Sequence, residues 1–557
     1  MAIKEIRMDR YTTQKRFVRE GACFESQDSF NSRCTMVRTA ESGLFKCGVP
    51  MDYPEDGTYA TSADEHHVLI VGDTGCGKTR RLIVPTIRLL AKTGQSMVVS
   101  DPKGELYQKT SNGLMKRGYD VKVLNYRNPR RGERWNPFAV IEELYRSGVP
   151  EYMDKALLML QDILDIMKKN IHSERDAFWE NAAEQYLNGI ALTIMEYGTP
   201  GSLNFTALSS AEGEITSWLI RHQSSDYFDS EEMDPFGRLY AFIKSLPLDS
   251  PIRMNFQSIM SVVDEPKTME SISITTHTMA NIFSKQSTLQ YLLSDSDFDI
   301  KDLGRKPMVI FIVLPDDSEA MYPLATMFVN QVYSQMIDLA YENGGRLPNP
   351  VNFVLDEFAN FTRLPNFRSM LTASRSRGMR FFLVVQDVDQ LESQYGQNDA
   401  AIIRSNCHDW VFMGCRNLKF LQMLVELSGT HYDRYTEEER QLLSISDLLT
   451  LQTGETVVWI RGSNPKRCWL PDYSEVDFGN EDETEMGFPP QTDRTPKNPI
   501  PFIDILEEAG RRIGGIEEET TERRISVLDD IEMPDYFWDL LNESENDEDG
   551  KKKEEDF

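Results

Sequence analysis

The stretch His67 to Thr79, HVLIVGDTGCGKT, restricts the possible folds more than any other part of the chain. Val68 to Val71 form a short apolar run that reads as a buried strand. The run breaks at Gly72 into GDTGCGKT, which fits G-x-x-x-x-G-K-[ST] at every fixed position. The following RRLIVPTIRLLAK reads as a helix that Pro85 must kink or occupy near its start. Gly72, Gly75 and Gly77 let the backbone close around an anion. Successive N–H groups and a helix N-terminus then favour phosphate. The expected nucleotide-binding set is Gly72, Asp73, Thr74, Gly75, Cys76, Gly77, Lys78 and Thr79. In it, Lys78 reaches the β- and γ-phosphates and the Thr79 hydroxyl binds magnesium. Cys76 reads as a small loop filler. A chance glycine turn would lack the strand before it and the helix after it.

With 557 residues, the length suggests three or four domains. No stretch approaches the ~18 uninterrupted apolar residues of a membrane span. The charged start, MAIKEIRMDRYTTQKRF, lacks a signal-peptide core, so the expected location is cytoplasmic. The seven cysteines form no C-x-x-C pair, which argues against a zinc or disulfide framework. The net charge is −29 and is concentrated at one end: 28 acids face nine bases from Asp472 onward. That distribution argues mildly against a broad DNA-coating surface, while a basic channel remains compatible with it.

Residues 1–60 read as a small strand-rich N-terminal region. Residues 61–150 read as the first part of a nucleotide-binding α/β domain. Within them, Ser96 to Ser100 is a second apolar strand running into Asp101-Pro102-Lys103-Gly104-Glu105-Leu106. That segment is either a strand-end ligand site or a turn before a capped helix. Tyr119 to Tyr126 alternates as a third strand, and Arg134-Trp135-Asn136-Pro137-Phe138 reads as a rigid loop. The period then becomes helical. Residues 151–300 are expected to form an all-α domain, with helical pieces at 152–168, 177–197, 212–223, 231–246, 251–263 and 268–285. Strands alternate with helices again over residues 301–471, which predicts a mainly parallel sheet covered on both faces. Residues 472–557 read as an acidic, largely disordered tail. Its aromatic segment, Pro534 to Leu541, either folds back on the body or is a docking motif.

Phosphate hydrolysis also needs a carboxylate on the metal side and a group that handles the attacking water. The strand Val351 to Leu355 ends in Asp356-Glu357 and offers both: Asp356 for the metal, Glu357 for the water. The strand Arg380 to Val385 ends in Gln386, either a γ-phosphate sensor or an ordinary strand-end polar group. Arg375 and Arg377 are candidates for the arginine that meets charge on the γ-phosphate, sometimes from a neighbouring subunit.

At GDTGCGKT, VVSDPKGELY, RWNPF, FVLDEFANF and SRSRGMRFFLVVQD the sequence resembles the type IV coupling proteins of conjugation systems, the TraG class. The resemblance spans roughly residues 45 to 470. It implies a RecA-like P-loop ATPase with an inserted all-α domain, using ATP and Mg2+. By the same resemblance Lys78 and Thr79 bind nucleotide and metal, and Asp356 and Glu357 serve hydrolysis. Arg375 is similar to an arginine offered across a subunit interface, and Gln386 to a sensor glutamine. The family's usual N-terminal membrane helices are not found in the sequence. The resemblance is therefore to members without that anchor, which either are recruited to the inner face of the membrane by a small separate protein or work away from the membrane.

The expected function is ATP-driven translocation of single-stranded DNA, with or without a relaxase, to a type IV secretion channel by a homo-hexamer. Arg416 and Lys419 are candidate pore residues, since sequence-independent gripping suits basic groups. Two other readings stand beside it. One is a receptor or adaptor for secreted proteins that uses ATP as a switch. The other is a soluble DNA translocase in genome maintenance or defence.

Overall fold

The computed structural model describes residues 3–8, 15–19, 22–40, 46–63, 65–169, 177–222, 235–262, 265–315, 317–433, 438–479, 484–496 and 498–513. A nine-stranded sheet organises them. In chain order its strands are β1 (His67–Val71), β2 (Ser96–Asp101), β3 (Asp120–Asn125), β4 (Met308–Val313) and β5 (Val351–Leu355). They continue with β6 (Met379–Val385), β7 (Cys407–Phe412), β8 (Glu455–Ile460) and β9 (Lys466–Trp469). Across the sheet the order is β9-β8-β7-β1-β6-β5-β2-β4-β3. The seven strands from β7 to β3 pair in parallel. β8 and β9 add an antiparallel edge.

The central strands are apolar throughout because both faces are covered. Their side chains alternate between two cores. Leu69, Val71, Phe353, Leu355, Leu383 and Val385 face the core shared with the all-α domain and helix Tyr322–Glu342. Val68, Ile70, Val99, Phe311, Phe382 and Val384 face a second core, shared with helices Val84–Ala91 and Glu105–Lys116. A three-stranded antiparallel sheet of Thr35–Arg38, Thr58–Thr61 and Pro50–Glu55 packs on that second side.

Between β3 and β4 the chain is helical, from Pro150–Lys169 and Ala177–Tyr197 to Pro266–Ala280 and Ser287–Leu292. One of these helices, Phe205–His222, starts seven residues before the 212 expected from periodicity. Phe205, Leu208 and Ala211 are buried in the same core, and their tertiary partners extend the helix. The RWNPF loop joins this domain to the sheet. Trp135 donates its indole N–H to Gln331 at 2.8 Å and its backbone N–H to Leu292. Asn136 donates its side-chain amide to the Leu203 carbonyl.

The expected disordered tail needs correction in its first part. Residues 484–496 lie across the helix that follows β2: Met486 N–H bonds to Gln108 O, and Phe488 stacks on Tyr107 at 4.9 Å. A helix over 502–513 buries Phe502, Ile505, Leu506 and Ala509 in the core that contains the all-α domain. Burial of these apolar groups offsets the acidic composition that predicted disorder. Residues 514–557, with the aromatic segment Pro534 to Leu541, lie outside the described residues. No helix among the described residues is long and apolar enough to cross a membrane.

Candidate active site

The P-loop leaves the carboxyl end of β1 and is tied down at once. Gly72 N–H donates to Val385 O, and Asp73 N–H to Gly414 O, so the two flanking strands hold the loop. A Cβ on Gly72 would lie 2.6 Å from Cys76 Sγ and 3.1 Å from Met413 Cβ. Gly77 has φ +96°, which favours a residue without Cβ. The helix after the loop opens with a wide π-type turn, Thr79–Ile83, in which Val84 N–H reaches back to Thr79 O. Pro85 follows in the first turn of the α-helix, where its missing N–H is tolerated.

A cavity of about 270 Å³ opens between this loop, the Asp101–Leu106 segment and the end of β5. Asp73, Thr74, Gly75, Gly77, Lys78 and Thr79 line it. Gly72 and Cys76 do not; they support the loop from behind. Burial raises the Cys76 thiol pKa, consistent with a packing role. Lys78 is buried, and its ammonium donates to the carbonyl oxygens of Gly72 and Asp73. Those neutral acceptors hold the cation where a phosphate would compete for it.

Asp356 and Glu357 line the cavity opposite Lys78. Asp356 is buried, and its Oδ1 accepts the Glu357 N–H at 3.0 Å. Burial first, then the Glu357 charge, pushes the Asp356 carboxyl up to about 7, while Lys78 opposes the shift. A bound cation would supply the missing compensation. Glu357 has φ +52°, a left-handed conformation that is uncommon for a residue with Cβ. Gln386, just after β6, donates its side-chain amide to both Glu357 oxygens at 2.9 and 2.8 Å. These three residues come together because β5 and β6 are parallel neighbours.

Asp101 and Lys103 also line the cavity. Asp101 sits beside Asp356 because β2 pairs with β5. One Asp101 oxygen accepts the Tyr107 N–H at 2.8 Å, and the other is buried without a hydrogen-bond partner. Burial lifts this carboxyl to about 6. Both readings of DPKGE therefore meet in one residue, which caps the next helix and borders the cavity.

Arg375 is absent from this cavity. It follows helix Phe367–Ser374 and precedes β6, at the edge of the sheet away from the P-loop. Its Nη1 donates to His408 Nε2 at 2.6 Å. Arg377 is bonded to the Ala373 carbonyl. Arg416 and Lys419 are exposed at the P-loop edge, with Lys419 paired to Glu392 at 2.9 Å. Sequence reasoning missed Arg80, which lines the cavity and forms a two-point pair with Asp472 at 2.6 and 2.8 Å. No local signal links residues nearly four hundred positions apart.

A phosphate loop facing an Asp-Glu pair across the carboxyl edge of a mainly parallel sheet defines a P-loop NTPase fold. A family model described as type IV secretory system conjugative DNA transfer matches residues 3–420, and the chain belongs to that family. Among curated relatives, conjugal transfer protein TraG of Escherichia coli is 24% identical over 382 residues, 65% of this chain and 55% of TraG. VirD4 of Agrobacterium fabrum is 27% identical over 359 residues, 64% of this chain and 48% of VirD4. The chain thus spans about half the length of these curated relatives. Among solved structures, the plasmid coupling protein TrwB with a non-hydrolysable ATP analogue superposes with a TM-score of 0.54 at 20% identity. The match covers 85% of this chain and 98% of TrwB. TrwB with ADP and Mg2+ gives a TM-score of 0.53 at 18% identity, covering 87% of this chain and 98% of TrwB. At this identity the likeness establishes the fold.

Proposed function

We propose that this chain hydrolyses ATP to drive single-stranded DNA, free or joined to a relaxase, toward a type IV secretion channel. The observation that carries the reading is Glu357, held by Gln386 and facing Lys78 and Thr79 across one cavity.

The residues fit a nucleotide with magnesium. Lys78 would exchange the Gly72 and Asp73 carbonyls for the β- and γ-phosphates. Thr79 and Asp356 would hold the metal, whose charge would neutralise the phosphate oxygens. Glu357 would accept the proton of the attacking water at a carboxylate oxygen, with Gln386 fixing that oxygen's direction. Arg375, remote from its own cavity, would serve the nucleotide of the next chain in a ring, most simply a hexamer. The ring would meet the membrane through a small anchor protein and the channel. Arg416 is the better of the two pore candidates, since Lys419 is already paired.

The test is the ATPase rate of purified protein with and without single-stranded DNA at low and moderate salt, beside Lys78→Ala and Glu357→Gln. Stimulation by DNA that both variants lose supports the motor. Hydrolysis indifferent to DNA moves the reading to a receptor for secreted proteins.

A further inference from the structure

A second polar cluster lies at the opposite end of the sheet from the cavity. His66 precedes β1, and Gly72 follows it, so about six residues at ~3.3 Å each separate the two ends by roughly 20 Å. At that far end the His66 and His408 rings stack at 4.8 Å. The Asp409 carboxylate takes the His66 Nδ1 at 3.0 Å. Arg375 Nη1 lies 2.6 Å from His408 Nε2, and Arg461 Nη1 lies 3.4 Å from the same nitrogen. Arg461 reaches this place because β8 runs antiparallel to β7 and ends beside the start of β7; its backbone N–H also bonds to His408 O.

Two guanidinium groups donating to one nitrogen require a neutral imidazole with its hydrogen on Nδ1. Burial and the Arg375 charge hold the His408 pKa down to about 4, which agrees with that state. Arg375 Nε is also buried without a hydrogen-bond partner. Two like charges converge on a neutral acceptor, and among the described residues neither guanidinium has a carboxylate partner. An oxyanion satisfies such an arrangement, and a guanidinium pair suits phosphate. The cavity of the same chain is too far away to provide it.

We infer that Arg461 and His408 act with Arg375 as one phosphate-binding face, presented to the γ-phosphate of a nucleotide held by a second copy of this chain. The inference rests on the reading of Arg375 as a residue that works across a subunit interface. Arg461 supplies a second cation. His408 is a positioning residue that keeps both guanidinium groups aimed before the anion arrives. Arg461 is exposed, so its replacement leaves the core intact.

The experiment is complementation between full-length chains. Arg461→Ala keeps the P-loop and alters the far face; Lys78→Ala does the reverse. The two are co-expressed with different tags, recovered through both tags, and assayed for hydrolysis with single-stranded DNA. Each variant alone should fall at least about tenfold, and the mixed particles should regain a substantial part of the rate, because an arginine in trans is worth orders of magnitude. ADP affinity and DNA affinity of Arg461→Ala should stay within about twofold of the parent, and Arg461→Lys should be intermediate. His408→Gln, which keeps an acceptor, should lower kcat less than His408→Phe, with KM unchanged in both. An Arg461→Ala chain with full activity, or mixed particles no faster than the two separate proteins, overturns the inference. A selective loss of DNA affinity overturns it too and reassigns the face to the DNA backbone. Arg375→Ala is mixed with Lys78→Ala in parallel. Recovery there but not with Arg461→Ala removes Arg461 and leaves the Arg375 reading standing. Recovery in neither removes both.

Discussion

Gln386 and Glu357 form a two-point contact, with one amide nitrogen 2.9 and 2.8 Å from the two carboxylate oxygens. The contact aims the carboxylate and holds a left-handed residue in place at the end of β5. Glu357→Gln should therefore abolish proton acceptance while keeping the loop, lowering hydrolysis by about 10² to 10⁴. Gln386→Ala removes a hydrogen bond to a charged group, worth about 1.5–3 kcal/mol, and should slow hydrolysis about tenfold to a hundredfold. Single-turnover hydrolysis, beside equilibrium binding of a fluorescent nucleotide, separates these losses from weakened binding.

The raised pKa of Asp356 makes the nucleotide-free protein sensitive to pH. Folded, the carboxyl titrates at about 7; its ordinary value is 3.8. Between those values the native state holds a proton that the unfolded chain has released. The resulting stability is fully present below about pH 4 and disappears as pH rises through 7, at about 1.4 kcal/mol per unit. Asp101, pushed up to about 6, acts in the same direction over the lower part of the window. Asp356→Asn should flatten the melting profile between about pH 4 and 7, leaving only the Asp101 slope below about 6. Magnesium-nucleotide affinity of the parent should tighten across the same interval, as titration calorimetry would report.

Trp135 joins the sheet to the helical domain. It is 1% exposed, bonds to Gln331 and meets the Phe328 ring edge-on at 5.0 Å. Trp135→Ala should cost about 3–5 kcal/mol through the cavity it leaves. Trp135→Phe should cost about 1–3 kcal/mol, mainly by stranding the Gln331 oxygen. Thermal denaturation reads both, and nucleotide affinity below the transition should not change.

The back of the P-loop has no space to give. Gly72→Ala would press a methyl group against Cys76 Sγ and Met413, displacing the cradle. Nucleotide affinity should fall by more than about tenfold, or 1.4 kcal/mol. Cys76→Ala in the same chain removes the nearer contact and should restore part of the loss, while Cys76→Ala alone should be close to neutral. Equilibrium nucleotide binding of the three variants tests this coupling.

Much of the site was legible because its signals are local. The P-loop needs glycine at particular positions whatever surrounds it. Asp356, Glu357 and Gln386 each follow an apolar strand, and parallel strands deliver such residues to one edge. The expected arginine at 375 was legible as a residue type, but its neighbours were not. His408 and Arg461 reach it through strand order and through an antiparallel edge that leaves no mark near Arg375. The described part of the region after Asp472, at 472–479, 484–496 and 498–513, was not legible for the same reason. Its composition is acidic, yet Phe488 has Tyr107 to stack on, and Phe502 has a core to enter.

The sequence alone determined the phosphate loop, the buried parallel strands and the helical insertion, since glycine geometry and apolar periodicity are written in neighbouring residues. Only the tertiary structure decided which strand ends share the cavity, which loop residues face it, and that Arg375 and Arg461 converge on one histidine at the far edge. Those outcomes depend on strand order and direction, which bring together residues hundreds of positions apart, and no local preference encodes them.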